Sequence, residues 1–238
     1  MIKYIRFLQC FETAQLQEEI VQLEKKYWKE HYNKKYYEGG WSTIQLRAVN
    51  GDIENNIAIH TSALQKEYQY KDTVLLEACP KIAAVIDFFK MEKSSVRLMK
   101  LNAGSEIKPH SDHDLSYEDG EVRIHIPIAT NPDMAFYLEE EALQMLEGSC
   151  WYLNLSLQHR VTNAGDTDRV HLVIDGLVND WVKAFFNQPE HERKEISDEK
   201  KMPVYSHADS LKIIEQLRLM NTAISIKMAD DMEAALQQ

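Results

Sequence analysis

The stretch "KPHSDHDLSYEDGEVRIHIPI", residues 108–128, joins two kinds of sequence that predict different structures. Its first half concentrates imidazole and carboxylate side chains, whereas its second half alternates apolar residues with Arg123 and His125. Alternation with a period of two is typical of a β-strand with one face turned to the core. The stretch therefore predicts a strand over residues 122–128, preceded by a turn rich in side chains that can bind a metal ion.

Short strands and turns continue on both sides of this stretch, from Ser95 to residue 177. The clearest strand patterns are "SVRLMKL", "VRIHIPI", "MAFYLEE", "GSCWYLNLS" and "RVHLVIDGL". Turn-forming segments such as "NAGS", "YEDG", "TNPD" and "NAGDTD" separate them. Regularly spaced short strands predict a mainly β core, either a sandwich or a jelly roll.

Helical and mixed patterns flank the predicted β core. Apolar residues recur at helical spacing over residues 14–28, "WSTIQLRAV" alternates like a strand, and residues 80–90 are typical of a short helix. Two further helical patterns follow a charged run near the C-terminus. We predict one domain over 1–238, made of an N-terminal α/β flank (1–95), the β core (96–185) and a C-terminal helical appendage (186–238). The appendage is expected to cover the core, close over a site or join two copies as a homodimer.

The composition narrows the function classes. Hydrophobic residues make up 44% of the 238 residues, which is enough for a folded core. A formal net charge of −11 argues against a nucleic-acid partner, and no apolar run is long enough to span a membrane. Cys10, Cys79 and Cys150 form neither a disulfide framework nor a zinc spacing. Together with an N-terminus too polar for a signal peptide, they predict a cytoplasmic protein.

One segment departs from the acidic composition. Residues 25–37 hold five lysines and one glutamate. The segment could receive an acidic leader peptide or carrier protein. We favour the alternative, a solvated helix end with tyrosine packing, because charge runs of this kind usually face solvent.

A metal site is the strongest chemical signal in the β region. His110 and Asp112 are separated by one residue, so in an extended segment both side chains point to the same side. A third ligand would come from another strand, and His159 is the best-placed candidate. Two histidines and one carboxylate are the ligand set of non-heme Fe(II) sites, which leave positions open for a co-substrate and O₂. His113 and Asp114 form a competing pair.

An anion site is predicted beside the metal ligands. We expect a hairpin from His159 to Arg169, with Arg169 and His171 on one face of its second strand. A buried arginine is costly unless it is paired, and no inward acidic partner is obvious. A dicarboxylate co-substrate would supply the anion. The alternative is a surface salt bridge from Arg169 to Asp166 or Asp168.

The order of the motifs "PHSD", "VRIHIPIATN" and "GSCWYLNLSLQHRVTNAGDTDRVHLVID" resembles the aspartyl/asparaginyl β-hydroxylase family. The resemblance covers residues 96–175. It implies a double-stranded β-helix, a cupin-like jelly roll, that uses Fe(II), 2-oxoglutarate and O₂. Because Asp112 is present, the chain resembles the bacterial branch that includes free-amino-acid hydroxylases. The segment "GGWSTIQLRAVNG" resembles that branch more loosely, and Trp41 and Arg47 on it are candidate substrate-binding residues.

The resemblance also implies roles for individual residues. The iron ligands would be His110, Asp112 and His159. Arg169 would bind the distal carboxylate of 2-oxoglutarate. Arg123 and His125 would lie near its metal-chelating end.

The resemblance implies a dioxygenase that hydroxylates an unactivated C–H bond of an amino acid, with succinate as co-product. The amino acid could be free, or part of a peptide or carrier-bound intermediate. A peptidyl Asp/Asn β-hydroxylase is one alternative. A non-catalytic β-helix module that binds a metal or a small carboxylate is another, and O₂ consumption linked to succinate formation would separate it from the enzymes.

Overall fold

The structure is a computed structural model that describes residues 1–23, 27–55, 69–112 and 115–196, with isolated positions between 211 and 236. It divides into two compact units, Met1–Ile196 and Ser197–Gln238. Within these described ranges, no helix is long and apolar enough to cross a lipid bilayer.

The first unit consists mainly of antiparallel strands. The strands are β1 (Ile2–Cys10), β2 (Lys29–Glu30), β3 (Tyr37–Glu38), β4 (Trp41–Val49), β5 (Tyr70–Asp72), β6 (Lys93–Leu101), β7 (Ser105–His110), β8 (Glu121–Ala129), β9 (Met134–Leu138), β10 (Glu141–Leu143), β11 (Ser149–Leu153), β12 (His159–Asn163), β13 (Arg169–Leu177) and β14 (Glu192–Glu195). The helices are α1 (Ala14–Gln22), α2 (Val74–Glu77), α3 (Pro80–Phe88) and α4 (Asp180–Phe186), with a 3₁₀ turn at Lys34–Tyr36.

Two sheets form a β-sandwich, which confirms the predicted jelly-roll class. The large sheet has the order β14-β1-β11-β8-β13-β6-β4-β2, with β5 beside β4, and the small sheet has the order β10-β9-β12-β7-β3. Apolar side chains from both sheets meet in one buried cluster between them, including Met99 and Val173 from the large sheet and Phe136 and Val161 from the small one.

Strand β13 shows why the site lies between the sheets. Its residues alternate between two faces. One face, with Leu172 and Ile174, packs in a second hydrophobic cluster, and the other carries Arg169, His171 and Asp175. Residues of α1, α3 and α4 belong to that second cluster, which accounts for the apolar outer face of the large sheet. Polar side chains buried on β13 are therefore directed to the space between the sheets.

The segment predicted as an N-terminal flank is built into the sandwich. Strands β1 and β4 from residues 1–95 pair with β11 and β6 in the large sheet. At the other end, β14 extends the sheet beyond residue 185 by pairing with β1. The helix predicted over residues 14–28 ends at Gln22, and the one predicted over 80–90 ends at Phe88. The compact β unit thus begins earlier and ends later than the predicted core.

The predicted hairpin from His159 to Arg169 is wrong. Strand β12 pairs with β7 and β9 in the small sheet, whereas β13 pairs with β6 and β8 in the large sheet. The connection between them crosses the sandwich at a corner held by Asn163, whose Nδ2 donates to the carbonyls of Leu101, Asn102 and Thr167. His159 and Arg169 therefore lie on facing sheets.

In the second unit, Arg218 pairs with Asp230 and Glu233. Leu211 and Ile214 of the first predicted helical pattern are described and lie in helical segments, but Ile224, Met228 and Met232 of the second lie outside the described residues. The expectations that this segment covers the site or forms a homodimer stay predictions.

Glu19 of α1 links this helix to the start of α3, and its replacement tests that link. Its carboxylate is only 6% exposed and accepts hydrogen bonds from Lys81 N at 2.7 Å and Ile82 N at 2.9 Å, at the start of α3. Glu19→Ala should lower the free energy of unfolding by about 2–3 kcal/mol, because it leaves two helix N–H groups without an acceptor. Urea denaturation measures this. Glu18→Ala, on the exposed side of α1, is the control and should have little effect; equal losses in both variants would contradict the proposed anchor.

Candidate metal and co-substrate site

Three predicted ligands converge at the ends of two inner strands of the small sheet, β7 and β12. His110 ends β7 and His159 begins β12, and the two are direct partners in the sheet register. Asp112 follows closely, its backbone N–H bonded to Leu155 O at 2.8 Å. One ligand atom from each of the three side chains lies within 4.8 Å of the other two. The structure thus brings together the three residues that the sequence singled out, whereas His113 and Asp114 lie outside the described residues.

Both imidazoles are oriented for metal binding. His110 Nδ1 donates to Lys108 O at 2.8 Å, and His159 Nδ1 donates to Leu157 O at 3.0 Å. Each ring therefore carries its proton on Nδ1 and leaves the Nε2 lone pair for a cation. Burial, followed by the neighbouring His110, lowers the pKa of His159 to about 4. The neutral form that a metal requires is thus the one present at neutral pH.

The Asp112 carboxylate is held ionised and in place. Arg123 Nη1 donates to Asp112 Oδ2 at 2.7 Å, while Oδ1 lies 3.9 Å from His110 Nε2. Burial raises the pKa of Asp112, but Arg123, with smaller effects of His159 and His110, outweighs burial and brings the pKa below its usual value. Two imidazoles and one fixed carboxylate fit a divalent first-row metal ion.

Arg123 has partners that differ from the predicted ones. Beyond its bond to Asp112, its Nε donates to Asp175 Oδ1 at 2.6 Å and its Nη2 donates to Asp175 Oδ2 at 3.0 Å. With both edges of the guanidinium engaged by carboxylates, Arg123 orients Asp112; its expected contact with 2-oxoglutarate stays a prediction. The sequence did not indicate Asp175, because its partner depends on the register of β8 against β13.

Arg169 is a buried cation without a carboxylate partner among the described residues. It is 3% exposed, and its Nη2 donates to His171 Nδ1 at 2.7 Å. Burial lowers its pKa to about 9. Arg169 does not form the alternative salt bridge to Asp168. Asp168 Oδ1 instead accepts from Ala103 N, and Asp168 Oδ2 lies 3.9 Å from Lys100 Nζ. An uncompensated guanidinium in this position favours an anionic ligand.

His125 is a second buried polar side chain whose hydrogen-bonding capacity is unused among the described residues. It lies on β8, opposite Val173 of β13, and neither ring nitrogen has a hydrogen-bond partner in the described part of the chain. Burial, followed by the charge of Arg169, holds the pKa of His125 well below its usual value, so the ring is neutral. A buried neutral imidazole can donate one hydrogen bond to a bound ligand, in keeping with the predicted contact to the co-substrate.

These residues surround one cavity of about 390 Å³ between the sheets. Its walls include the three candidate metal ligands, Arg169 and His125, together with the apolar side chains of Met99, Phe136, Leu155 and Val161. The lining also includes His31, Tyr32, Asn33, Tyr36, Trp41 and Arg97. The cavity therefore has room for a dicarboxylate and a second small molecule.

The two candidate substrate residues on β4 have different positions. Trp41 lines the cavity, where its ring stacks on His31 at a centroid distance of 3.6 Å. Arg47 does not line the cavity, and the expectation that it binds substrate is corrected. A bulge between Gln45 and Arg47 breaks the alternation of the strand. Its guanidinium instead binds Asp72 at 2.6 Å and the carbonyls of Tyr70 and Lys93.

Comparison with known proteins was made for sequence and structure. The model of the Aspartyl/Asparaginyl beta-hydroxylase family matches residues 11–178. L-proline cis-4-hydroxylase of Rhizobium meliloti (strain 1021) is 27% identical over 201 residues, covering 79% of this chain and 69% of that protein. A prolyl-4-hydroxylase structure from Pseudomonas putida has a TM-score of 0.47 at 12% identity, covering 75% of this chain and 94% of the other.

The family match spans well over half of the chain and contains the three candidate metal ligands as well as Arg169 and His125. Its expected chemistry agrees with a cavity that brings two imidazoles and one carboxylate together with a buried arginine for which the described residues provide no carboxylate. The chain belongs to the aspartyl/asparaginyl β-hydroxylase family and is a hydroxylase that uses Fe(II), 2-oxoglutarate and O₂.

Proposed function

We propose that the protein hydroxylates an unactivated C–H bond of a free amino acid. The observation that carries this proposal is the presence, around one cavity, of a His–Asp–His set and a buried arginine that has no carboxylate partner among the described residues. The cavity volume of about 390 Å³ suits a small substrate beside 2-oxoglutarate. The relative that hydroxylates L-proline supports a free amino acid as the substrate class.

The proposed roles follow from position. His110, Asp112 and His159 would hold Fe(II), which supplies O₂ activation when it is bound. Arg169 would hold the distal carboxylate of 2-oxoglutarate, and the neutral His125 would donate to its other end. Arg123 keeps the Asp112 carboxylate ionised and oriented toward the metal position. Apolar walls from Met99, Phe136, Leu155 and Val161 would exclude water from the reacting atoms.

A carrier-bound or peptidyl substrate is a second candidate, but the basic segment gives it little support. Lys34 pairs with Glu30, and Lys29 pairs with Glu54 at 2.9 Å. These lysines are thus partly neutralised by carboxylates of the same chain and are less available to an acidic partner. We further propose a cytoplasmic location, which the three free cysteines support.

A substrate panel tests the proposal. The protein with Fe(II), 2-oxoglutarate and O₂ should convert at least one free L-amino acid to a product that has gained one oxygen atom, with a matching amount of succinate. Mass spectrometry of the products and of succinate measures both. A chelator should abolish both signals, because the ligands alone cannot activate O₂.

Each other outcome of the panel has a definite meaning. Products from peptides only would replace the free amino acid by a peptidyl substrate. Stable binding of 2-oxoglutarate without any succinate would favour the non-catalytic carboxylate-binding module and contradict the proposed reaction.

A further inference from the structure

We infer that Arg97 binds the free α-carboxylate of the substrate and thereby selects free amino acids over residues inside a peptide. This inference rests on the proposed function. Arg97 interrupts the apolar pattern "SVRLMKL" of β6, a strand buried on both faces for most of its length. A charged residue in such a strand requires an explanation, since burial of an arginine is costly unless every charge finds a partner.

The register of the large sheet places Arg97 on the cavity wall. It lies between Gln45 of β4 and Val173 of β13 and is 4% exposed. Arg169 pairs with Leu101 instead, four residues away along β13. Four residues of a strand span about 13 Å between Cα atoms, so the two arginine side chains start from well-separated points. The large sheet therefore presents two arginines to the cavity at different positions along its strands.

The hydrogen bonds of Arg97 leave donor capacity toward a ligand. Its Nη2 donates to Asp175 Oδ2 at 2.8 Å, but its Nε is buried and has no acceptor among the described residues. Asp175 is also bound by two donors of Arg123, so it is one carboxylate shared by two guanidinium groups. A further carboxylate beside Arg97 would supply the missing acceptor and a matching charge.

The charges around Arg97 allow for that carboxylate. The formal charges of Arg97, Arg123, Asp112 and Asp175 cancel, and the Asp112 carboxylate would also bind the metal ion. The field of Arg97 reaches His31, another residue of the cavity wall, where burial and then Arg97 lower the pKa of His31 to about 3. A substrate carboxylate beside Arg97 would lie in this positive field.

The aromatic side chains beside this position suit an apolar substrate body. His31 stacks on Trp41 with an interplanar angle of 12°, and Tyr36 stacks on His110 at a centroid distance of 5.2 Å. Flat faces of this kind pack well against aliphatic carbon. The ligand class is thus a small apolar amino acid whose carboxylate is free. A residue inside a peptide lacks that carboxylate and would leave Arg97 Nε without an acceptor among the described residues.

The test compares free amino acids with their α-carboxamides. The probes are the twenty protein amino acids and the corresponding amides, and the readout is hydroxylated product per unit time. For the wild-type protein we expect the best free acid to exceed its amide by about 100-fold or more in kcat/KM, as at other sites built to bond a specific polar group. Arg97→Gln should lose most of this preference, and Arg97→Lys should keep part of it.

Two controls separate this inference from the proposed function. Formation of succinate and CO₂ from 2-oxoglutarate and O₂ without any amino acid should remain detectable in Arg97→Gln, because no α-carboxylate takes part in that partial reaction. Arg47→Gln, an arginine of the adjacent strand outside the cavity, should keep the full acid preference. If the wild-type protein formed no succinate at all, the proposed function itself would be contradicted.

Three results would overturn the role of Arg97 while leaving the oxygenase intact. They are equal rates for acids and amides in the wild type, an unchanged preference in Arg97→Gln, and a rise in the KM for 2-oxoglutarate without a rise in the KM for the amino acid. The last result would assign Arg97 to the co-substrate. The comparison of acids with amides in the wild type needs no variant, so it remains decisive even if Arg97→Gln does not fold.

Discussion

Replacement of Arg169 by alanine should raise the 2-oxoglutarate concentration needed for half-maximal succinate formation by about 100-fold or more, since loss of one partner of a buried charge pair costs roughly 3–5 kcal/mol. The guanidinium is buried and carries a positive charge, and within the described part of the chain its side-chain hydrogen-bond partner is the neutral His171. Arg169→Lys should recover only part of the loss, because an ammonium group cannot make two parallel hydrogen bonds to a carboxylate.

A stability measurement supplies an independent readout for the same residue. Without 2-oxoglutarate, Arg169→Met should unfold at the same temperature as the wild type or higher, because it removes an uncompensated buried charge and keeps most of the volume. Added 2-oxoglutarate should raise the melting temperature of the wild type but not that of the variant. An unchanged succinate curve for Arg169→Ala would mean that the co-substrate binds elsewhere.

Replacement of Asp112 by alanine should lower hydroxylation by more than about 100-fold, because loss of a direct ligand exceeds the 10- to 100-fold effects known for residues behind the ligands. It should also lower the amount of Fe(II) retained after dialysis, measured by elemental analysis. Asp133→Ala, an exposed carboxylate in the turn before β9, is the matched control and should retain both metal and activity. Full turnover in Asp112→Ala would show that this carboxylate is not a required ligand.

The sequence predicted those features that depend on local pattern. Period-two alternation located β6, β8 and β13 to within two residues, and the spacing of His110 and Asp112 indicated a shared direction. His159 could be selected because it follows a strand in a familiar motif order. Its direct pairing with His110 became visible only in the register of the small sheet.

Features that depend on contacts between distant strands could not be predicted. Arg97 and Asp175 are 78 positions apart in sequence, and nothing in either strand marks them as partners. The bulge that turns Arg47 out of the cavity requires the partner strand to be known. The turn after His159 is equally compatible with a hairpin and with a crossing between sheets; the choice is made by Asn163 and its contacts to residues 101, 102 and 167.

The crossing at Asn163 has a mechanical consequence. Because His159 and Arg169 belong to opposite layers, a co-substrate held by Arg169 and by a metal ion at His159 would connect the two sheets. Bound 2-oxoglutarate would then act as a reversible cross-link and stiffen the sandwich.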